Sequence, residues 1–369
     1  MSEASPRPPR GPVPPIPFTL LTGFLGAGKT TLLNALLRDP ALSDTLVIVN
    51  EFGDIGLDNL LVESVEEGMV TLAGGCLCCS VRSDLVDTLE DLLRRRDNGR
   101  IAPFRRIVVE TSGLADPVPI LQTLIAHPYL ALRYALDGVV AVVDAITGAA
   151  ALRDHEEARR QVAVADRLVL TKTDLLGDAE SRSAAAELSQ RLVELAPATP
   201  LLDAAKGEAI PAALFGLGPW APENKIAAVS AWLSATEEDG AGAHRDDIRT
   251  TTIWSEAALP PTAFSLFIDL LRANQGPRIL RLKGLVRATD DPGRPVVIHG
   301  VQHFFHPPVR LDAWPDEDHR TRIVLIGQGL DAAYVAQIYA AFSDALAADQ
   351  PDRSALLDNP LAPPGLTSR

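Results

Sequence analysis

The stretch Gly23–Thr31, "GFLGAGKTT", decides the fold of the first half of the chain. Its Gly23-x4-Gly28-Lys29-Thr30 spacing is that of a phosphate-binding loop. The apolar run "FTLL" precedes it, and a helical pattern with Leu32, Leu33, Leu36 and Leu37 follows, so the strand–loop–helix context is complete. Gly23, Gly26, Ala27 and Gly28 let successive backbone N–H groups turn inward around phosphate oxygens, while the helix N-terminus adds positive potential. Lys29 is expected to reach the β- and γ-phosphates. The Thr30 hydroxyl is expected at a Mg²⁺ site, and Thr31 closes the loop.

Working outward, further runs, "TLVIVNE", "RRIVVETSG", "DGVVAVVDA" and "DRLVLTKTD", are rich in Val, Ile and Leu without clean alternation. That texture is expected of strands buried on both faces of a parallel sheet. Leu85, Leu89, Leu92 and Leu93 form a helical stripe between two of them. The alternation predicts an α/β domain, a doubly wound mostly parallel sheet of the P-loop NTPase kind, over residues 17–215. Residues 1–16 read as a disordered Pro-rich tail and 216–247 as a linker with Pro, Gly and acidic residues. Residues 248–347 then run β-α-β-β-β-α, which predicts a smaller α+β domain with an antiparallel sheet and two helices. The strands are "IRTTTIWSE", "RILRLKGLVRA", "PVVIHGVQHFF" and "RTRIVLIGQ"; the helices are 262–273 and one carrying Val335, Ile338, Phe342 and Leu346. Residues 348–369 read as a mobile tail.

Partners for the loop lie at the ends of neighbouring runs. Glu110 closes one and is the candidate acid linked to Mg²⁺, with Gly113 placed for close backbone approach to a γ-phosphate. "NEFGDIGLD" closes another and reads as a switch segment made deformable by Gly53 and Gly56. From it, Asp54 joins Lys29 and Glu110 as a catalytic candidate, and Glu51 joins the candidate metal ligands. "TKTD" carries the base choice: Asp174 can accept from both guanine N1–H and the 2-amino group while the Lys172 stem covers the ring, a pairing adenine cannot make. Asn is the commoner first residue of that motif, so Thr171 predicts a weaker tie back to the phosphate loop. A small-molecule kinase is the rival reading, which "TKTD" disfavours.

All three cysteines, Cys76, Cys78 and Cys79, fall within "GGCLCC". A redox dithiol would use Cys76 and Cys79 and leave Cys78 surplus; a nucleophilic cysteine would want a histidine nearby in sequence, and there is none. A metal site uses all three: thiolates are soft, suit Zn²⁺ or Cu⁺, and leave one position open. His299, His303 and His306 form a second candidate group. In a single strand, His299 and His303 would share a face and His306 would lie on the other.

Composition narrows the partners. A net charge of −14 argues against nucleic acid, whose binding is driven by Lys and Arg on phosphate. No window approaches the ~20 apolar residues of a membrane span. The opening is broken by proline and lacks an apolar signal core, so a cytoplasmic location is expected, where thiols stay reduced.

With these motifs in hand, the chain resembles the G3E family of P-loop GTPases in its CobW-like metallochaperone branch. The matching pieces are "GFLGAGKTTLLN", "VNEFGDIGLD", "GGCLCC", "ETSGLADP" and "TKTD", in the family's order, followed by "GVQHFF" and "WPDEDHRTRIVLIG" of a CobW-like C-terminal domain. The resemblance implies Mg²⁺-dependent hydrolysis of GTP to GDP, coupled to delivery of a metal to a client metalloprotein. It implies Cys76, Cys78 and Cys79 as the metal-binding cysteines, Gly23 to Thr31 as the phosphate loop, Glu110 as the magnesium-linked acid, and Lys172 and Asp174 as the guanine reader. Zinc is the expected metal. The alternatives are a cobalt carrier for cobalamin synthesis and a zinc-binding buffer without turnover.

Overall fold

The computed structural model describes residues 14–50, 69–72, 80–197, 199–216, 248–302, 304–305 and 308–343. The first sheet is parallel throughout. Its strands are β1 (Ile16–Gly23), β2 (Thr45–Asn50), β3 (Met69–Leu72), β4 (Arg106–Glu110), β5 (Tyr134–Asp144), β6 (Arg167–Thr171) and β7 (Leu201–Asp203). They lie in the order β3-β2-β4-β1-β5-β6-β7. Helices α1 (Lys29–Leu36), α2 (Ser80–Asp97), α3 (Pro117–Ala126), α4 (Pro128–Arg133), α5 (Gly148–Asp154), α6 (Glu156–Ala163), α7 (Ala179–Leu195) and α8 (Pro211–Leu214) cover the two faces.

The missing alternation in the sequence has a structural cause. In β4, Ile107 and Val109 enter one core with α2, α3 and α4, while Val108 enters the opposite core with α1. Both faces are apolar, so a period of two leaves no polar trace. The stripe Leu85, Leu89, Leu92 and Leu93 is buried in the first of these cores. Two strands escape the sequence reading, β3 and β7, because runs of four and three residues are too short to register against their surroundings.

The second sheet is antiparallel, in the order β11-β10-β9-β13-β8, with β12 also paired to β10. It comprises β8 (Ile248–Ser255), β9 (Ile279–Val286), β10 (Val296–Val301), β11 (Phe304–Phe305), β12 (Val309–Arg310) and β13 (Thr321–Gln328). Helices α9 (Pro261–Gln275) and α10 (Ala332–Ser343) pack on it through Phe264, Phe267, Leu271, Val335 and Tyr339. Leu346 of the expected closing face lies outside the described residues. The run "PVVIHGVQHFF" is not one strand. β11 folds back on β10 with Val301 opposite Phe304, and Gln302 takes φ 51° at the reversal. Positive φ is what a two-residue hairpin requires, so the single-strand assignment of histidine faces fails.

The two sheets share a core: Ile248, Leu280, Val301 and Ile326 join the cluster built from β1, β4, α2 and α3. Among the described residues no helix is long and apolar enough to cross a membrane.

Candidate nucleotide site

The loop between β1 and α1 is shaped by its glycines. Gly23 has φ 143°, and a Cβ there would stand 2.3 Å from the Val142 carbonyl oxygen. Gly26 and Gly28 take φ of 71° and 90°, which L side chains rarely adopt. Ala27 is buried, whereas Thr30 and Thr31 are exposed at the start of α1. The Lys29 side chain folds back over the loop, and its ammonium donates to Gly23 O at 2.9 Å and Phe24 O at 3.3 Å. An ammonium has three donors, so two anchor it on the loop and the third suits an incoming phosphate oxygen. Burial lowers the Lys29 pKa, and the charge of Glu110 opposes that shift.

Glu110, buried at the end of β4, accepts from Thr30 Oγ1 at 2.6 Å. The sheet makes this pairing: β4 lies beside β1 with Glu110 in register with Leu21, so the acid emerges directly next to the loop. Beyond it, Thr111 donates to Thr22 Oγ1 at 3.0 Å, and Gly113 is pressed on the loop so closely that a Cβ would lie 2.6 Å from Leu25 N. Only glycine fits there, and its backbone borders the loop as expected. A hydroxyl and a carboxylate at hydrogen-bonding distance, with the Lys29 ammonium close enough to feel the carboxylate's charge, form a donor set of the hard-oxygen kind that suits Mg²⁺ with a nucleotide phosphate.

The base-reading segment departs from expectation at Thr171. The tie to the loop is made: Thr171 Oγ1 donates to Ala27 O at 2.7 Å, with Val143 O at 3.2 Å. The C-terminal end of β6 delivers Thr171 beside the loop, with its side chain 3.8 Å from where a Cβ on Gly28 would stand. Lys172, at φ 62°, donates to Gly26 O at 2.8 Å and Asp144 Oδ2 at 2.6 Å, and Asp174 is exposed beside it. Burial works to raise the Asp144 carboxyl, but Lys172 and the Ile146 N–H outweigh it and hold the group below its ordinary range.

Asp144 and Asp203 were missed from sequence. Asp144 had the same signal as Glu110, an acid closing a buried run. Asp203 accepts from Thr173 Oγ1 at 2.7 Å and Ala205 N at 3.0 Å, joining the loop after β7 to the base-reading segment.

Glu51, Asp54, Cys76, Cys78 and Cys79 lie outside the described residues, as do His303 and His306. The ends of the cysteine segment are fixed, however. Leu72 ends β3 in register with Asn50 of the adjacent β2, and Ser80 begins α2. His299 is placed away from the nucleotide loop, buried on β10 in register with Lys283 and close enough to Asp166 to influence its charge.

Residues 17–200 match the family described as CobW/HypB/UreG, nucleotide-binding domain, and residues 248–346 match the cobalamin synthesis protein cobW C-terminal domain. The chain is 34% identical over 313 residues to the zinc chaperone YjiA of Escherichia coli K12, covering 85% of this chain and 94% of that protein. It is 32% identical over 349 residues to the zinc chaperone CobW of a Sinorhizobium species, covering 85% and 92%. The crystal structure of Zn(II)-bound YjiA GTPase from E. coli matches with a TM-score of 0.67 at 30% identity, over 89% of this chain and 99% of that one. The chain therefore belongs to the CobW/HypB/UreG family of nucleotide-binding proteins, with a CobW C-terminal domain.

Proposed function

We propose that this chain is a GTP-hydrolysing zinc carrier: Cys76, Cys78 and Cys79 take up the ion, a client metalloprotein receives it, and GTP hydrolysis gates its release. The observation that carries this reading is the position of Leu72, which ends β3 four residues before Cys76 in sequence, at the carboxyl edge of the parallel sheet. β3 is two strands from β4, or roughly 10 Å at the usual strand spacing. The chain therefore leaves Leu72 at the same edge where Glu110 meets Thr30. The zinc chaperone relatives support the choice of ion.

Lys29 would stabilise charge on the transferring phosphoryl group, and the Gly113 backbone would sense its presence. Asp174 would select guanine, with the Lys172 stem against the ring. Mg²⁺, held at Thr30 and Glu110 with Glu51 as a further candidate ligand, would supply neutralising charge at the phosphates. Asp54 would act from the switch segment. Three thiolates around a divalent ion carry net negative charge, which suits a site that must let its ion go. Nucleotide can control zinc only if its two states differ in zinc affinity, and a coupling of ~1–3 kcal/mol corresponds to about 5–150-fold.

Zinc titration of the reduced protein, bound to GDP or to a non-hydrolysable GTP analogue, tests this. Affinities differing by at least about fivefold are expected, together with a sharp loss of zinc affinity in Cys78→Ala. Equal affinity in the two nucleotide states would refute the gated carrier; undiminished affinity in the cysteine variant would refute the ligand assignment.

A further inference from the structure

The turn that follows Glu110 is gripped from α6. Gln161, only 1% exposed, donates its amide to Gly113 O at 3.1 Å and Ala115 O at 3.0 Å. The neighbouring Arg160 donates to Asp116 Oδ2 at 2.9 Å, while Asp116 Oδ1 accepts from Val118 N and caps α3. Two consecutive side chains thus hold both ends of the turn that lies on the phosphate loop. Neither carries any signal in the sequence, and each acts on the turn through hydrogen bonds.

The same arginine reaches the second domain. Arg160 Nη2 donates to Gln328 Oε1 at 2.9 Å, at the end of β13, and Glu156 ties the pair together by accepting from Arg160 at 2.7 Å and from Gln328 at 2.9 Å. A separate link joins Gln122 of α3 to Gln302 at the β10–β11 reversal. The segment 113–122 is therefore held by Gln161 at one end and linked to the C-terminal sheet directly at Gln122 and, through Arg160, at Asp116.

We propose that Gln161 is a positioning residue for GTP turnover, fixing the Gly113–Asp116 turn, and that the C-terminal domain sets this grip through Gln328 and Arg160. This rests on the GTPase reading above. A flexible turn must be ordered each time a γ-phosphate is engaged, whereas a turn fixed beforehand meets it without that cost. GDP lacks the γ-phosphate and makes no demand on the turn, so loss of the grip falls on GTP alone.

The test uses the full chain with Gln161→Met, which keeps length and volume but not the amide, and with Gln328→Leu at the surface. Steady-state GTP turnover is measured beside the affinities for GDP and a non-hydrolysable GTP analogue. For Gln161→Met, a fall in kcat of about tenfold and a matching loss of GTP-over-GDP preference are expected, with GDP affinity within about twofold of the parent. Gln328→Leu should shift the same quantities in the same direction by about threefold. Unchanged kcat and preference in both variants would overturn the proposal, as would equal weakening of both nucleotides, which is the mark of a packing role. If Gln161→Met fails to fold, Gln328→Leu decides on the same criteria. If the parent chain binds GTP without hydrolysing it, the GTPase reading fails, and the affinity ratio alone judges the grip.

Discussion

Asp166, immediately before β6, is the hinge of charge between the two domains. Its side chain is 5% exposed and accepts from Val139 N at 2.9 Å, from Arg281 Nη2 at 2.7 Å and from Lys283 Nζ. Arg281 is equally buried, and also donates to the Ala165 carbonyl and to Thr199 Oγ1 at 3.1 Å. One carboxylate thus faces two cations from β9, with Arg167 and His299 close enough to feel the same charges. Asp166→Asn keeps the shape and removes the charge, leaving the buried Arg281 and the largely buried Lys283 to repel each other. Stranding a buried charge in this way costs about 3–5 kcal/mol. At roughly 2–4 °C per kcal/mol for a domain of this size, the thermal midpoint should fall by about 6–20 °C. Urea unfolding of the parent, Asp166→Asn, Lys283→Met and the double variant measures the free energy, and thermal unfolding of the same proteins measures the midpoint. The double variant should recover part of the loss, because removing Lys283 takes away one of the two cations that Asp166 had neutralised. A single-variant loss below about 1 kcal/mol, or a double variant losing the full sum of the singles, would refute the claim that this carboxylate neutralises the domain seam.

Three other outcomes follow from the same geometry. Thr171→Val removes the donor to Ala27 O without changing shape; the unmet buried carbonyl should cost ~1–3 kcal/mol, read as weaker GDP binding by calorimetry. Asp174→Asn should lower the preference for guanine over adenine nucleotides by about 10–150-fold, the worth of a charge-assisted pair of ~1.5–3 kcal/mol, in a competition assay. Lys283 should make the stability of the seam depend on pH on the alkaline side. Burial, with Arg281 beside it, pushes its ammonium down to about 8 despite the attraction of Asp166. The unfolded chain, with a lysine near its ordinary ~10.4, then binds more protons between those two values. Stability contributed at this position should therefore rise with pH across that window, relative to Lys283→Met, in urea titrations at stepped pH.

The phosphate loop, the parallel sheet and Glu110 were legible because each is written in contiguous residues: a fixed glycine spacing, an unbroken apolar run, an acid at its end. The features that were missed depend on meetings between distant segments. Thr171 was expected to hold the loop weakly, yet its hydroxyl reaches Ala27 O because β6 ends beside the loop, a fact of sheet placement rather than of residue type. "PVVIHGVQHFF" kept a strand's apolar character through its own reversal, and Gln302 at φ 51° is not a residue that announces a turn. The grip of Gln161 had no signal at all: a glutamine on the buried side of a short helix reads as a minor flaw until Gly113 and Ala115 are seen to present their carbonyls to it.

The strand order gives the turn after β4 its weight. β1 and β2 are consecutive in sequence, yet β4 is inserted between them, so the carboxyl end of β4 opens at the crevice where ligands of open α/β sheets gather. On one side of β4 stands the phosphate loop, and on the other β2 leads to β3 and the start of the cysteine segment. Directly above, Asp116 uses one carboxylate oxygen to cap α3 and the other to hold Arg160. A displacement of this turn must break the cap, the ion pair or the seat of Gly113 on Leu25, and each break is felt by a different part of the molecule. Loss of the cap loosens α3 and its contact at Gln302; loss of the ion pair releases Gln328; loss of the glycine seat frees the turn itself from Leu25. With Val301 and Ile326 already sharing the nucleotide domain's core, the C-terminal sheet cannot stay indifferent to that movement.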